Sequence, residues 1–166
     1  MDIEHINCLD KNQATQLFIQ CCTSQRWIEK MVDDRPYNDF ISLRKSADKA
    51  WDQMTEKDYL QAFEGHPKIG NVSSLKAKYA NTKELASGEQ SGASQATDEL
   101  ILALAKNNQA YEEKYGFIFI VCATGKSAEE MLDLLYTRLK NDRHRELEIA
   151  SEEQRKIFHL RLEKLL

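Results

Sequence analysis

Helix breakers are scarce in this chain, and where they fall limits the fold more than any other feature. Its 166 residues hold six glycines and two prolines, and residues 1–35, 37–64, 93–115 and 126–166 contain neither. Stretches that long without a breaker favour helix, because glycine and proline are the residues that a helix interior tolerates least. The spacing predicts an all-α, single-domain bundle of about seven to nine helices over residues 1–166.

A first helix is expected from about Lys11 to Cys22, and a second, short one around Trp27. Arg35-Pro36 then breaks the chain, since proline pushes its predecessor out of helical geometry. The next helix runs from about Tyr37 to Met54, with Phe40, Leu43, Ala47, Ala50 and Trp51 at helical spacing. Thr55 and Asp58 resemble a capping box for a helix that ends at Gly65. A further helix covers about Ser74 to Leu85, before a break from Ser87 to Gln95. Thr97 caps a long helix that Gly116 stops after Tyr115, with Leu100, Leu104, Tyr111 and Tyr115 as its apolar stripe. Phe117 to Val121 is a run of β-favouring apolar residues, which suits one short extended segment near 117–121. Ser127-Ala128-Glu129-Glu130 caps a helix carrying Met131, Leu132, Leu135 and Leu139. A last helix is expected from about Glu146 to Leu166.

Composition excludes several functions. With a net charge of -4 and no dense Lys/Arg tract, the chain lacks the electrostatic footprint of a nucleic-acid binder. No apolar run approaches the ~20 residues that span a bilayer. The acidic N-terminus has no signal-peptide pattern, and the C-terminus is not a peroxisomal address, so a cytoplasmic setting is expected. Cys8, Cys21, Cys22 and Cys122 match neither a zinc pattern nor Cys-x-x-Cys. Adjacent Cys21 and Cys22 read either as a redox switch or as two small reduced residues at a helix edge. No pair of histidines has metal-ligand spacing, so no metal is expected.

Chemistry concentrates in the breaks. His66 sits in Gly65-His66-Pro67-Lys68-Ile69-Gly70, a loop that can present a proton carrier to a ligand. It reads either as a general acid/base or as a surface histidine. Glu89 and Gln90 follow in the second break. A glutamate there can tune a histidine or move a proton itself, or it can simply suit a helix start. Gln90 offers a donor and an acceptor that suit an amide or ureido group. Arg161 shares a helix stripe with Ile157 and Leu165, where its charge needs a partner: a substrate carboxylate or an internal ion pair. Ala123-Thr124-Gly125-Lys126-Ser127 echoes a phosphate loop, but Ile120 stands where the first glycine belongs, so nucleotide binding is excluded. His144 reads as solvated and His159 as a packing residue of the last helix.

Together, Gly-His-Pro-Lys-Ile-Gly at 65–70, Glu89-Gln90, Gly-Phe-Ile-Phe-Ile-Val-Cys-Ala at 116–123 and Lys-Ile-Phe-His-Leu-Arg-Leu at 156–162 resemble the 2-oxo-4-hydroxy-4-carboxy-5-ureidoimidazoline (OHCU) decarboxylase family. The resemblance covers nearly the whole chain. It implies an all-α fold, a cofactor-free site, usually a homodimer, and the last step of urate conversion to (S)-allantoin. It assigns His66 as catalytic proton carrier and Glu89 as its acidic partner. Pro67, Ala86, Ser87, Gly88, Gln90, Ile120, Val121, Cys122, Ala123, Thr124 and Arg161 would line the substrate. One position departs from the family pattern: Ala86 stands where a serine is common, with Ser87 one place later. The residues alone also permit a non-catalytic helical interaction module, or a hydrolase acting on a related ureido compound.

Overall fold

A computed structural model describes residues 1–67, 72, 73, 75–77, 79 and 97–166. Among these residues the chain forms eight helices with described bounds, further helical residues between 72 and 79, and no strand. The helices are α1 (Ile3–Cys8), α2 (Lys11–Ile19), α3 (Gln25–Asp33), α4 (Phe40–Asp52), α5 (Glu56–Glu64), α6 (Asp98–Tyr115), α7 (Ala128–Arg138) and α8 (Arg143–Leu165). Leu75, Lys76, Ala77 and Tyr79 of the expected Ser74–Leu85 helix are helical, and the rest of it lies outside the described residues. The break from Ser87 to Gln95 lies wholly outside them. No described helix is long and apolar enough to cross a membrane.

Short polar side chains start most of these helices by accepting a backbone N–H that has no partner inside the first turn. Asp2, Asp10, Ser24, Asp39, Thr97 and Ser127 each do so. At α5, Asp58 Oδ2 accepts from both the backbone N–H and the hydroxyl of Thr55, at 2.9 and 3.0 Å. Gly116 ends α6 with φ +82°, a left-handed geometry that glycine adopts without strain. Two expectations need correction. α2 ends at Ile19 rather than Cys22, because Ser24 caps α3 and the chain must leave the helix before it. The buried stripe of α6 begins at Ile101, while Leu100 is only half-buried. The expected segment at 117–121 is non-helical and pairs with no described strand.

The chain divides into two compact units. Residues 1–66 and 147–166 form the first, whose core is aromatic. Phe158 of α8 packs against Trp27 of α3 at 5.0 Å and Trp51 of α4 at 5.7 Å between ring centroids. Both indoles satisfy their N–H on backbone carbonyls, Trp27 on Ala47 and Trp51 on Ser151. Large buried rings with their polar atoms paired combine apolar burial with fixed orientation. They set the register of α8 against α3 and α4. Residues 67–146 form the second unit, where α6 and α7 enclose a buried charged pair. Arg138 Nε lies 2.7 Å from Glu146 Oε1, and Tyr111 donates its hydroxyl to the same oxygen at 2.6 Å.

Candidate active site

His66 follows the last turn of α5, and its backbone N–H bonds the Phe63 carbonyl at 3.1 Å. Close packing explains the glycine before it. A Cβ built on Gly65 would lie 2.2 Å from Thr23 Oγ1 and 2.8 Å from Thr23 Cβ. Thr23 is itself fixed, because its hydroxyl donates to the Gln61 carbonyl at 3.0 Å. Gly65 has φ −72°, so space rather than backbone conformation requires glycine there.

The His66 ring is half-buried, and its Nε2 lies 2.6 Å from Oε1 of Gln154 on α8. Its Nδ1 has no hydrogen-bond partner among the described residues. Burial pushes the His66 pKa below 6.5; the Gln154 hydrogen bond opposes this, and the positive charge of Arg161 adds to it. The free ring is therefore neutral at pH 7, a state suited to accepting a proton. Gln154 is fully buried, and sequence reasoning missed it. The available signal was a polar residue on the same α8 stripe as Ala150 and Phe158, seven positions before Arg161.

Arg161 is half-buried and donates a long hydrogen bond, 3.4 Å, to the Cys21 carbonyl. No described carboxylate forms an ion pair with it, so the two readings of this residue separate: the internal ion pair is absent among the described residues. Burial pushes the Cys21 and Cys22 thiols up to about 12, although the Arg161 charge works the other way. Both are free and held in the unreactive thiol form, which favours the structural reading of this pair.

His159 is committed elsewhere. Its ring packs on Phe158, and its Nε2 lies 2.7 Å from Asp48 Oδ1. Burial raises the Asp48 pKa, but hydrogen bonds from His159 and Arg155 outweigh it and hold the carboxyl below its usual range. His144 is exposed, as its charged surroundings suggest.

In the second unit, Ile120 is buried, Val121, Cys122 and Ala123 are half-buried, and Pro67 and Thr124 are exposed. The Ile120 carbonyl accepts from Arg138 Nη1 at 2.5 Å, and the Cys122 carbonyl accepts from Lys126 Nζ at 2.9 Å. Arg138 also lies over the Phe119 ring, 4.6 Å from its centroid. Two cations thus hold the backbone carbonyls of this segment. Sequence reasoning missed Arg138, whose position on α7 reads as an ordinary exposed basic residue near a helix end. Ala86, Ser87, Gly88, Glu89 and Gln90 lie outside the described residues.

Comparison with known proteins adds to this geometry. A family model described as OHCU decarboxylase matches residues 7–163. The chain is similar to the uric acid degradation bifunctional protein TTL of Arabidopsis thaliana, 34% identical over 87% of this chain and 45% of that protein. A second bifunctional protein of uric acid degradation, from a Bacillus strain, is 27% identical over 99% of this chain and 32% of its own length. The chain thus spans less than half of either relative. Among solved structures, an OHCU decarboxylase crystallised in the presence of (S)-allantoin superposes with a TM-score of 0.73. It is 32% identical, over 95% of this chain and 98% of that one.

Proposed function

This chain belongs to the OHCU decarboxylase family, and from that membership we propose that it decarboxylates 2-oxo-4-hydroxy-4-carboxy-5-ureidoimidazoline to (S)-allantoin as a single catalytic domain over residues 1–166. The observation that carries this reading is the pair on the first unit. A neutral, half-buried His66 is influenced by the charge of Arg161, and Arg161 has no carboxylate partner among the described residues. A proton acceptor near a guanidinium with no described carboxylate partner suits an anionic substrate that must lose a proton from a hydroxyl.

The chemistry follows from the substrate's structure. One ring carbon carries both a carboxylate and a hydroxyl, and its neighbour bears the ureido group. Breaking the carbon–carboxylate bond releases carbon dioxide and sends the electron pair into the adjacent C=N system, whose nitrogen takes up a proton. The hydroxyl then becomes a carbonyl as its proton is transferred, and the ureido-bearing carbon gains a proton on one face. The overall balance is substrate anion plus one proton giving allantoin and carbon dioxide. His66 takes the hydroxyl proton as the carbonyl forms, because its ring starts neutral, and returns it to the ureido-bearing carbon, while solvent supplies the proton that the ring nitrogen takes up. Glu89 serves as its acidic partner. Arg161 anchors the carboxylate or a ring carbonyl through its planar fork. Gln90 and the main chain from Ile120 to Thr124 read the ureido and ring amides, with Pro67 and the Ala86–Gly88 stretch completing the lining. Hydrogen bonds to the developing charge supply stabilisation of the kind that preorganised donors give. The family likeness further supports a reaction without a cofactor, carried out by a homodimer in the cytoplasm.

The test generates the substrate in situ from urate with urate oxidase and hydroxyisourate hydrolase. Carbon dioxide release and circular dichroism are then followed with and without the protein. Faster carbon dioxide release together with (S)-allantoin is the expected result. Release of ammonia or urea in place of allantoin would establish the hydrolase instead, and rates equal to the spontaneous background would leave a non-catalytic module.

A further inference from the structure

We infer that Gln154 is a positioning residue for His66: its buried amide holds the neutral ring with the proton on Nε2, so that Nδ1 is the atom that accepts the proton in the reaction. The reactive half of this inference rests on the function proposed above. The assignment of the ring does not.

Gln154 lies on the buried stripe of α8, between Ala150 and Phe158, and is wholly removed from solvent. An apolar residue of similar size would fill that position without desolvating an amide, which is costly unless the amide is hydrogen-bonded. Its Oε1 makes one contact, with His66 Nε2 at 2.6 Å, and its Nε2 is buried without a hydrogen-bond partner. An amide oxygen only accepts, so the ring nitrogen facing it carries the hydrogen and the lone pair of the neutral ring falls on Nδ1. Turning the amide over would place Nε2 against the ring and leave its carbonyl oxygen buried without a donor.

The choice of an amide also matters. A carboxylate at this place would favour the imidazolium with a full charge, whereas a neutral amide orients the ring and raises its pKa too little to overcome burial. Arg161, seven residues further along α8, is the charged group that acts on the ring among the described residues, and like burial it disfavours the imidazolium. Cys21 and Cys22, which face Arg161, are held as neutral thiols by burial. The surroundings thus keep His66 as a base with a defined lone pair.

Long-range proton–nitrogen NMR of the full chain labelled with [15N]histidine tests this, with His66→Asn identifying the His66 signals among four histidines. Above neutral pH, wild type is expected to show a protonated Nε2 and an unprotonated Nδ1. Gln154→Glu is expected to raise the His66 titration midpoint by about one unit or more and to move the acid limb of kcat/KM upward with it. Gln154→Met is expected to lower kcat about tenfold, the scale of one lost hydrogen bond, with KM within about twofold. A ring protonated on Nδ1, or a Gln154→Glu protein with an unmoved midpoint and unmoved acid limb, would overturn the inference. Should either variant fail to fold, the wild-type spectrum decides alone. A ring protonated on Nε2 in a protein that forms no allantoin would refute the function and leave the ring assignment standing. Decarboxylation by a ring protonated on Nδ1 would do the opposite.

Discussion

Replacing Arg138 by methionine removes a buried guanidinium and keeps most of its stem. The loss can be worked from the contacts. Glu146 is fully buried, and Arg138 Nε at 2.7 Å is its charge partner. Breaking a buried pair from one side costs about 3–5 kcal/mol, because the remaining charge is left uncompensated. Glu146 keeps two donors, the Tyr111 hydroxyl at 2.6 Å and Asn141 Nδ2 at 2.9 Å, which places the cost near the lower end, about 3 kcal/mol. The buried Ile120 carbonyl also loses its donor, at about 1 kcal/mol more. The sum is about 4 kcal/mol, and at roughly 3 °C per kcal/mol for a chain of this size it lowers Tm by about 12 °C. Urea titration followed by far-ultraviolet circular dichroism measures it. Adding Glu146→Gln to Arg138→Met removes the stranded charge and is expected to restore about 2 kcal/mol. A single variant within 1 kcal/mol of wild type, or a double variant no more stable than the single one, would refute the reasoning.

Three further outcomes are expected. Arg161→Ala lowers kcat/KM by several kcal/mol equivalents, on the order of 10²-fold or more, without a comparable loss of stability, since the guanidinium has no described carboxylate partner; unchanged steady-state kinetics would make it a structural residue. Gly65→Ala forces its methyl against the fixed Thr23 side chain, destabilises the protein by about 1–3 kcal/mol and lowers kcat by displacing the neighbouring His66; a neutral thermal melt would contradict this. The third concerns pH. Because burial, with help from Arg161, holds the His66 pKa below 6.5 in the folded chain, the unfolded chain binds the proton first as pH falls. Stability therefore declines below about pH 6.5 and levels off under the folded pKa. The acid limb of kcat/KM falls in the same window, and a limb centred above 7 would contradict the assignment of His66 as a neutral base.

Much of this was legible in the sequence because local rules and tertiary packing agree. Thr97, Ser127 and Gly116 mark helix ends where the structure has them. Phe40, Leu43, Ala47, Ala50 and Trp51 trace the buried face of α4, with Phe40 at its margin. Where two breakers meet, His66 stood out as the candidate proton carrier. Less legible were residues whose role depends on a distant partner. Gln154 reads as one more polar residue on a charged helix until its amide is seen against His66, 88 positions away. Arg138 looks like a solvated helix-end cation until Glu146 and the Ile120 carbonyl are seen around it. Asp10 and Asp39 went unread as caps, although each accepts from a backbone N–H three residues on, because several polar residues near each start compete for that role. α1 was missed because six residues carry too little periodicity to register.

The most direct test of the account compares His66→Asn with wild type in the coupled reaction from urate, reading the circular dichroism of allantoin as it forms. The account predicts rapid appearance of the (S) product with wild type and a rate at least about 10²-fold lower with a folded His66→Asn protein, the scale of general acid/base catalysis. A folded His66→Asn protein that formed (S)-allantoin at the wild-type rate would contradict it.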